Sequence, residues 1–456
     1  MTVWCDVEDL FDYARNNARP SGIQRLSYEL YAALRRMAAQ EVGFVRHDAV
    51  AGTMRVIDWT DVEALYGRMA EAPLRPPVPL AAAPRPLSRG ALRSVVARVP
   101  AELRQPLGQA VRSQLATVRH LAGAVRASAG LLSARQAAEA APDVAFTIAG
   151  RDLREAARPG DVIATLGSPW SHPDYASLIR AVSQQASLRF ALLVYDLIPV
   201  LRPEFCDQGL VTVFGDFMRR CLPLADMVFA ISQATVRDIE TWAARDGLRL
   251  RAAPQAIPIG SGFSQAADPA PLPASLSPGG YALFVSTMEA RKNHVLTFRA
   301  WRRLLDEMPA EQVPVLVFAG RVGWMVADLM QQIRNARHLD GKLVIVEDPG
   351  DAALAALYRG ARFTLFPSHY EGWGLPVSES LAFGKACLAS ASTSIPEAGG
   401  PFCLYHDPDC VTEAVALYRR AIEEPGLIAG LESRLAAEYR AVPWSDSAAA
   451  LLRGLL

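Results

Sequence analysis

The chain has 456 residues, of which 51% are hydrophobic and 21% are charged, and its formal net charge is zero. This length exceeds one ordinary hydrophobic core, so the sequence predicts two domains, and the hydrophobic content excludes a disordered chain. A net charge of zero gives no electrostatic reason to expect a nucleic-acid partner.

The first 265 residues begin with a predicted strand, "TVWCDV", then the loop "NNARPSG" and the amphipathic helix "IQRLSYELYAALRRM". Further along, "DVIATLG", "RFALLVYDLIP" and "ADMVFAIS" are continuous apolar runs that end at turn signals, which is typical of buried parallel strands. Ser232 follows the last run and is placed to cap the helix "QATVRDIETWAARDG".

Residues at about 70–140 differ in character, being rich in Ala, Pro and Arg. Between 74 and 136 there are ten Arg and one Glu, a local excess of nine positive charges. This segment interrupts the α/β pattern and is interpreted as an insertion in the first domain.

A Pro-rich segment at 266–280, "AADPAPLPASLSPGG", is the strongest linker signal in the chain. Beyond it the alternation restarts with predicted strands "YALFVS", "PVLVFAG", "KLVIVED", "RFTLFPS" and "ACLAS" and with the helices between them. The pattern predicts an α/β fold of two facing doubly wound domains, at 1–265 and 281–435. Since ligands bind beyond the carboxyl ends of parallel strands, we expect the site in the interdomain cleft.

The cysteines and the N-terminal segment indicate the cellular compartment in which the protein is expected. The six cysteines are scattered without a C-x-x-C pair, so reduced thiols are expected instead of disulfides or a zinc site. The start, "MTVWCDVEDL", lacks the basic segment of a signal peptide, and no apolar run reaches the roughly 18 residues that cross a bilayer. The sequence thus predicts a cytoplasmic protein, at most peripheral on the inner face of the membrane.

The segment "SHYEGWGLPVSES", residues 368–380, follows the predicted strand "RFTLFPS". Gly372 and Gly374 let the backbone approach a ligand or adopt positive φ, and the next helix presents its N-terminus to an anion such as phosphate. Glu371 and Glu379 supply carboxylates for hydroxyl groups. A ligand with both kinds of group, such as a nucleotide sugar, satisfies both features.

Each glutamate taken singly has an ordinary explanation. Glu379 fits a first-turn glutamate favoured by the helix dipole, and Glu371 fits a solvated loop residue. The string E-G-x-G-L-P-x-x-E, however, fixes six positions and arises by chance in a chain of this length about once in ten thousand. The segment is therefore interpreted as functional.

"EGWGLPVSESLA" resembles the E-x7-E signature, "EGFGLPxxEAMA", of the family 4 glycosyltransferases, with Trp373 in place of the usual Phe. The similarity extends to "VSTMEARKNHVLTFRAW" and "GKACLASASTSIPEAGG" in the second domain and to "YDLIPVLRPEF" and "ADMVFAISQATVRDI" in the first. It covers nearly the whole chain except the Arg-rich region.

The resemblance implies the GT-B fold, with two Rossmann-like domains. The first would bind the acceptor and the second, at 281–435, the nucleotide-sugar donor. A C-terminal helix within 436–456 would pack back on the first domain. The reaction would retain the anomeric configuration and need no metal and no bound cofactor.

The resemblance also implies roles for matching residues. Arg291 and Lys292 would meet the donor diphosphate, and one cation about 4 Å from it contributes roughly 4 kcal/mol at an effective dielectric near 20. Alone, "ARKN" also fits a solvated basic loop. Glu379 would accept hydrogen bonds from the ribose, and Glu371 would face the transferred sugar. The expected donor-binding residues are Gly22, Arg291, Lys292, Arg321, Glu371, Gly372, Trp373, Gly374, Leu375 and Glu379.

Besides Trp373, two positions depart from the family pattern. Ser286 stands near the place of a frequent family arginine, and Arg321 in "FAGRVGW" is the candidate to replace it. Tyr195 stands where many relatives have a histidine before the aspartate of "HDLIP". Asp196 is therefore expected to bind an acceptor hydroxyl.

Weaker candidates come from loops of the first domain. Tyr195 and His172, in "SPWSHPDY", are further acceptor candidates, although a histidine in a turn more often has a structural role. Gly22 in "PSGIQR" precedes a helix, so its backbone can approach a phosphate, but an ordinary loop glycine fits equally well.

The sequence thus predicts a retaining glycosyltransferase that moves a hexose, with mannose favoured, from a nucleotide diphosphate sugar to a glycan or lipid-linked saccharide in surface polysaccharide biosynthesis. Its catalytic residues would be Glu371, Lys292, Arg291 and Asp196. Two alternatives stay open: a nucleotide-sugar epimerase of similar architecture, and a non-catalytic scaffold that binds nucleotide sugars.

The Arg-rich insertion also has two interpretations. It fits a solvated helical insertion with an ordinary basic face. It also fits a surface that docks on anionic lipid headgroups, which would suit a lipid-linked acceptor. The lack of aromatic residues in the stretch tells against the second.

Overall fold

The computed structural model describes residues 1–70, 150–261 and 270–455. The Arg-rich insertion and its predicted membrane contact lie outside the described residues, and so do the first four residues of the predicted linker at 266–280. The domain boundaries given above stay predictions.

The first domain is built on a sheet of seven strands in the order β3-β2-β1-β4-β5-β6-β7. Neighbouring strands are parallel except β2 and β3, which pair antiparallel. The strands are β1 (Val3–Asp6), β2 (Val42–Asp48), β3 (Thr53–Ile57), β4 (Val162–Thr165), β5 (Arg189–Val194), β6 (Met227–Ala230) and β7 (Gln255–Ala256).

Helices of the first domain cover the sheet. They are α1 (Glu8–Asn16), α2 (Gly22–Met37), α3 (Trp59–Ala70), α4 (Leu153–Ala156), α5 (Tyr175–Ala186), α6 (Ile198–Leu201), α7 (Gln208–Cys221) and α8 (Gln233–Arg245), with one-turn 3-10 helices at Pro169–Ser171, Pro203–Phe205 and Leu222–Leu224. The predicted cap of α8 is confirmed, since the Ser232 hydroxyl accepts a hydrogen bond from Thr235 N–H at 3.0 Å.

The second domain has a six-stranded, fully parallel sheet in the order β10-β9-β8-β11-β12-β13. Its strands are β8 (Tyr281–Val285), β9 (Val315–Ala319), β10 (Leu343–Val346), β11 (Phe363–Phe366), β12 (Cys387–Ser390) and β13 (Cys403–His406). Its helices are α9 (His294–Glu307), α10 (Ala327–Asn335), α11 (Arg337–Asp340), α12 (Asp351–Gly360), α13 (Leu375–Ala382), α14 (Ile395–Gly399), α15 (Val411–Glu423) and α16 (Pro425–Glu438), with 3-10 turns at Ala290–Lys292 and Gly400–Phe402.

Two parallel sheets with helices on both faces confirm the predicted doubly wound α/β architecture. The apolar strands are buried from end to end, as in β4 and β11, because helices cover a parallel sheet on both sides. Burial of each large aliphatic side chain in such a core contributes about 1.5–3 kcal/mol.

The last helix, α17 (Trp444–Leu455), returns to the first domain. Its apolar residues Ala448, Leu451 and Leu455 are buried in the same cluster as Leu30 of α2. Their spacing puts these side chains on one face of the helix. The chain therefore leaves the second domain after α16 and packs its last described helix against the first domain.

Loops at the carboxyl ends of the two sheets meet each other. The Glu397 carboxylate accepts hydrogen bonds from the backbone N–H groups of Gln233 and Ala234, both at 2.7 Å, and so caps α8 of the opposite domain. The Tyr370 hydroxyl donates to Asp238 at 2.6 Å. These contacts confirm that the domains face each other across a cleft.

Gly372 lies at the closest approach of the two backbones. A Cβ at this position would lie 2.1 Å from the carbonyl oxygen of Tyr195. The absence of a side chain at Gly372 thus makes room for the backbone of the first domain, and its predicted contact with a donor stays a prediction.

All six cysteines are free thiols. In the ranges 1–70, 150–261 and 270–455, no helix combines the length and the apolar character needed to span a bilayer.

Gly372→Ala is expected to lower the free energy of unfolding by about 1–3 kcal/mol, because the backbone carbonyl that it meets has little room to move. Urea unfolding checks this value. Gly430→Ala is the matched control, since a Cβ there has no neighbour within 4 Å and alanine favours a helix. Equal stability of the two variants would contradict the close approach.

Candidate functional site

The loop between β11 and α13 carries the first half of the E-x7-E segment and is held by the loop after β12. The Ser394 hydroxyl donates to the carbonyl of Glu371 at 2.9 Å, and the Thr393 hydroxyl bonds both the N–H and the carbonyl of Glu371 at 3.0 Å. Ser392 donates to the carbonyl of His369 at 2.5 Å. These bonds fix the backbone of Glu371 at the strand ends.

The buried side chain of Glu371 pairs with two cations from the 3-10 turn after β8. Lys292 Nζ lies 2.6 Å from Oε1 and Arg291 Nη1 lies 2.8 Å from Oε2. Ser368 donates a further hydrogen bond to Oε1 at 2.6 Å. The structure thus brings the predicted sugar-facing carboxylate into contact with the predicted diphosphate-binding cations.

The charges of Glu371 and Arg291 each stabilise the ionised form of the other group. Burial alone would raise the pKa of Glu371, but Arg291 and Lys292 outweigh it and lower that pKa to about 2. Burial likewise opposes the charge of Arg291, but Glu371 and Glu289 raise its pKa above the ordinary value. Glu371 and Arg291 are therefore both ionised at neutral pH.

Two further carboxylates complete the cluster. Glu289 is buried and lies 2.6 Å from Arg291 Nη2. Asp196 comes from the first domain, where it follows β5; burial raises its pKa, and the charge of Arg291 opposes that rise. Glu289 and Glu371 are thus the carboxylate partners of Arg291 and Lys292 in this cluster.

The start of α13 has the predicted backbone geometry. Gly374 is the N-cap residue and has φ of 109°, in the left-handed region that favours glycine, and Pro376 lies in the first turn. This geometry turns the chain sharply from the loop into α13 and directs the helix N-terminus toward the end of the sheet.

Trp373 and Leu375 lie where the two domains meet. Both side chains are partly buried and pack against the core of the first domain. A Cβ added to Gly22, the first residue of α2, would lie 3.9 Å from Leu375 Cδ1. These side chains therefore join the domains, and their predicted contact with a donor stays a prediction.

Glu379 is buried within α13 and is held by residues of both domains. The Tyr358 hydroxyl donates to Oε2 at 2.9 Å, and Arg25 Nη1 of α2 lies 3.6 Å from Oε1. Burial raises the pKa of Glu379, and Arg25 opposes the rise. Arg25 also pairs with Asp351 at 2.7 Å.

Three other predicted residues lie apart from the cluster. Arg321 has 40% of its side chain exposed and faces Asp348 at 4.0 Å. The Tyr195 side chain is buried, and its hydroxyl donates to the carbonyl of Leu166 at 2.6 Å. Its predicted contact with an acceptor stays a prediction.

His172 is engaged locally. Its Nδ1 accepts from Asp174 N–H at 3.0 Å, and its ring packs edge-on against His47 and Tyr175. The structure therefore gives it a structural environment and does not bring it to Glu371.

Sequence reasoning missed three residues of the site: Glu289, Ser368 and Arg25. Glu289 stands directly before "ARKN" and Ser368 directly after the strand "RFTLFP", so proximity to the motifs was an available signal. Arg25 lies three residues after Gly22 in "SGIQR", so its position beside a candidate residue was the available signal.

An apolar cavity of about 200 Å³ opens beside the cluster. Asp196, Glu289 and Arg291 form its polar end, and residues of β5, α6 and α7 such as Phe214 and Phe217 form its apolar walls.

Comparison with known proteins agrees with this architecture. Residues 276–425 match the family model described as "Glycosyl transferases group 1". The matched range contains Arg291, Lys292, Glu371 and Glu379.

Two curated relatives come from Escherichia coli. The serotype-specific mannosyltransferase WbdA is 29% identical over 212 residues, which are 43% of this chain and 25% of WbdA. The O-antigen chain mannosyltransferase B is 30% identical over 167 residues, which are 37% of this chain and 43% of that protein. The aligned regions thus span less than half of the length of either relative.

Among solved structures, Anabaena HepE in complex with UDP is 14% identical with a TM-score of 0.56, and the match covers 100% of this chain and 99% of that chain. At this identity the likeness concerns the fold alone. The chain has the GT-B fold.

Glu371→Gln is expected to lower the free energy of unfolding by about 3 kcal/mol at neutral pH. The folded-state pKa near 2 lies below the ordinary 4.5, so this stability is fully present above pH 4.5 and is lost as the pH falls toward 2. Urea unfolding of wild type and variant should show a constant difference between pH 7 and 5 that narrows below 4.5.

Glu438→Gln is the control for this series. Glu438 pairs with Arg434 on the exposed face of α16, where a pair contributes at most about 1 kcal/mol. A Glu371→Gln difference as small as that of the control at pH 7 would contradict the buried ion-pair cluster.

Proposed function

We propose that the chain is a retaining glycosyltransferase, because residues 276–425 match the family model described as "Glycosyl transferases group 1". It transfers a hexose from a nucleoside diphosphate sugar to a hydroxyl group of a glycan or lipid-linked saccharide. The observation that carries the proposal is the contact of Glu371 with Arg291 and Lys292 at the ends of β8 and β11, opposite Asp196 of the first domain.

The geometry of the cluster matches the chemistry of a sugar nucleotide. In such a donor a single oxygen separates the anomeric carbon from the β-phosphorus. A site for this bond therefore needs a carboxylate beside the sugar and cations beside the phosphate, and the carboxylate and the cations have to lie in contact with each other. Glu371, Arg291 and Lys292 meet this requirement, and Glu379 lies eight residues beyond Glu371 for the ribose hydroxyls.

The bond between the anomeric carbon and the β-phosphate oxygen breaks while the acceptor oxygen bonds to the same face of that carbon. The acceptor proton passes to the departing phosphate oxygen, so the configuration is retained. Arg291 and Lys292 stabilise the charge that develops on this oxygen, and Glu371 stabilises the positive charge on the sugar ring. Catalysis then consists of positioning and electrostatics.

In this proposal the two cations stabilise the departing phosphate, as a metal ion does in other enzymes, and no cofactor takes part. Asp196, whose raised pKa reflects its burial beside the cluster, binds the reacting acceptor hydroxyl. Mannose is the proposed sugar because two curated relatives are mannosyltransferases. The same relatives favour an acceptor from surface polysaccharide biosynthesis.

Incubation with GDP-, UDP- and ADP-sugars, with and without glycan acceptors, tests the proposal. Release of nucleoside diphosphate that depends on an acceptor is the expected result, and the one-bond C1–H1 coupling of the product by NMR, which distinguishes the anomers of mannose, reports retention. Isomerised donor without release would indicate an epimerase, and binding without turnover would indicate a scaffold.

Lys292→Ala is expected to lower kcat about a hundredfold to a thousandfold, because it removes one of the two cations from the departing phosphate. Steady-state release of nucleoside diphosphate measures the loss. Lys385→Ala, which removes a lysine beyond the C-terminal end of α13, should turn over like wild type. Similar kcat values for both variants, with both folded by thermal unfolding, would contradict the role of Lys292.

A further inference from the structure

The N-terminal end of α2 carries two cations of the first domain to the part of the second domain that surrounds Glu379. Arg25 lies in the first turn of α2, and Arg19 lies in the loop before this helix. Arg19 donates to the carbonyl of Asp348 at 3.3 Å, and a Cβ added to Gly350 would lie 3.6 Å from the Arg19 guanidinium. The first domain thus contacts the loop after β10 as well as α13.

The guanidinium of Arg25 is held in place from two sides. Its Nη2 lies 2.7 Å from Asp351 Oδ1 at the start of α12, and the guanidinium also donates a hydrogen bond to the Tyr66 hydroxyl of α3. Tyr66 in turn stacks on Tyr28 of α2, with 3.7 Å between the ring centroids. The position of the cation is therefore determined by α3 and α12 as well as by its own helix.

The distance between Arg25 and Glu379 leaves the carboxylate able to bind a ligand. Arg25 Nη1 lies 3.6 Å from Glu379 Oε1, which is longer than the roughly 2.7–3.2 Å of an N–H···O hydrogen bond. Tyr358 donates to the other oxygen, Oε2, at 2.9 Å, and the Glu379 side chain keeps 8% of its surface exposed. Oε1 is therefore attracted by a cation and still accepts a hydrogen bond from a ligand hydroxyl.

Arg25 and Glu379 each favour the charged form of the other. Burial raises the pKa of Glu379, and among the surrounding groups Arg25 opposes this rise most strongly. Burial likewise opposes the charge of Arg25, but Glu379 and Asp351 raise its pKa above the ordinary value. Because an ionised carboxylate accepts stronger hydrogen bonds than a neutral group, the cation of the first domain makes Glu379 a stronger acceptor.

This contact depends on the closed arrangement of the two domains. Arg25 belongs to the first domain and Glu379 to the second, so a motion that parts the domains separates the two side chains. In an open cleft Glu379 keeps Tyr358, which lies in the same domain, but loses the cation. Glu379 is therefore a stronger acceptor in the closed form than in an open one.

We propose that Arg25 is a positioning residue for the donor nucleotide, which orients Glu379 and maintains its charge for the ribose hydroxyls when the cleft closes. Arg25 acts through Glu379 and makes no bond to the donor itself. The inference rests on the proposed function in taking a nucleotide ribose as the ligand of Glu379. It adds that the first domain takes part in nucleotide recognition, so that domain closure strengthens donor binding.

Removal of the ribose hydroxyls distinguishes this role from a merely structural one. A hydrogen bond from a hydroxyl to an ionised carboxylate changes a dissociation constant about tenfold to hundredfold. A 2′,3′-dideoxynucleoside diphosphate lacks these hydroxyls but keeps the base and the diphosphate. The ratio of its dissociation constant to that of the parent nucleotide, called the ribose ratio below, therefore reports the contacts of the ribose hydroxyls, because the contributions of base and phosphate cancel.

Isothermal titration calorimetry of the full chain tests the inference. Titration with GDP, UDP and ADP identifies the nucleotide that binds, and its 2′,3′-dideoxy analogue then gives the ribose ratio. Wild type should have a ribose ratio of about ten or more. Arg25→Gln should bind the parent nucleotide about fivefold more weakly and the dideoxy analogue like wild type, so that the ratio falls about fivefold. Arg25→Lys, which retains a cation, should recover part of the ratio.

Controls separate this result from a loss of folding. Arg36→Gln makes the same change at an exposed position of the same helix and should leave both dissociation constants at their wild-type values. Thermal unfolding reports whether each variant is folded. Should Arg25→Gln fail to fold, Asp351→Asn takes its place, because it removes the carboxylate that holds the guanidinium and should lower the ribose ratio in the same direction.

A wild-type ribose ratio near one, a ratio that Arg25→Gln leaves unchanged, or an equal loss of affinity for both nucleotides would overturn the inference even when acceptor-dependent turnover is normal. A ribose ratio that depends on Arg25, in a chain that transfers no sugar to any acceptor, would uphold the inference, and the proposed transfer reaction would then be the part that fails. Absence of binding to every nucleoside diphosphate would overturn both.

Discussion

The buried contact of Glu371 with Arg291 and Lys292 is the constraint on which the site depends. Two cations cannot be held out of water without compensating charge, so the turn after β8 and the loop after β11 have to be fixed against each other. The serine and threonine hydroxyls of the loop after β12 do this by bonding the backbone of Glu371. Three neighbouring strands thereby place one carboxylate and two cations at a single point of the cleft.

The first domain contributes further charged side chains to the site. Asp196 reaches the cluster because Gly372 lets the Tyr195 carbonyl approach the second backbone, and Arg25 reaches Glu379 from α2. The glycines and apolar residues of the motif thus join the domains, while its two glutamates carry the polar contacts. In the proposed reaction, donor entry would require these closely packed domains to part, as in hinge motions of two-domain enzymes.

The sequence was sufficient for the architecture, since strands such as β4, β5 and β11 are continuous apolar runs and Ser232, Gly374 and Pro376 have clear local signals. It was insufficient for β2 and β13, whose polar residues Arg46, His47 and His406 break the apolar pattern. The sequence also could not identify which side chains pair across the cleft. The burial of Trp373 and Leu375 against the other domain, and the pairing of Glu371 with both cations, depend on how loops far apart in sequence meet.

A crystal structure of the chain with bound GDP or UDP tests the central claim most directly. The account predicts a β-phosphate oxygen within about 3 Å of Arg291 or Lys292, with that cation withdrawn from Glu371 and the carboxylate facing the place of the sugar. A nucleotide bound elsewhere, with Arg291 and Lys292 still paired to Glu371 and untouched by phosphate, would contradict it.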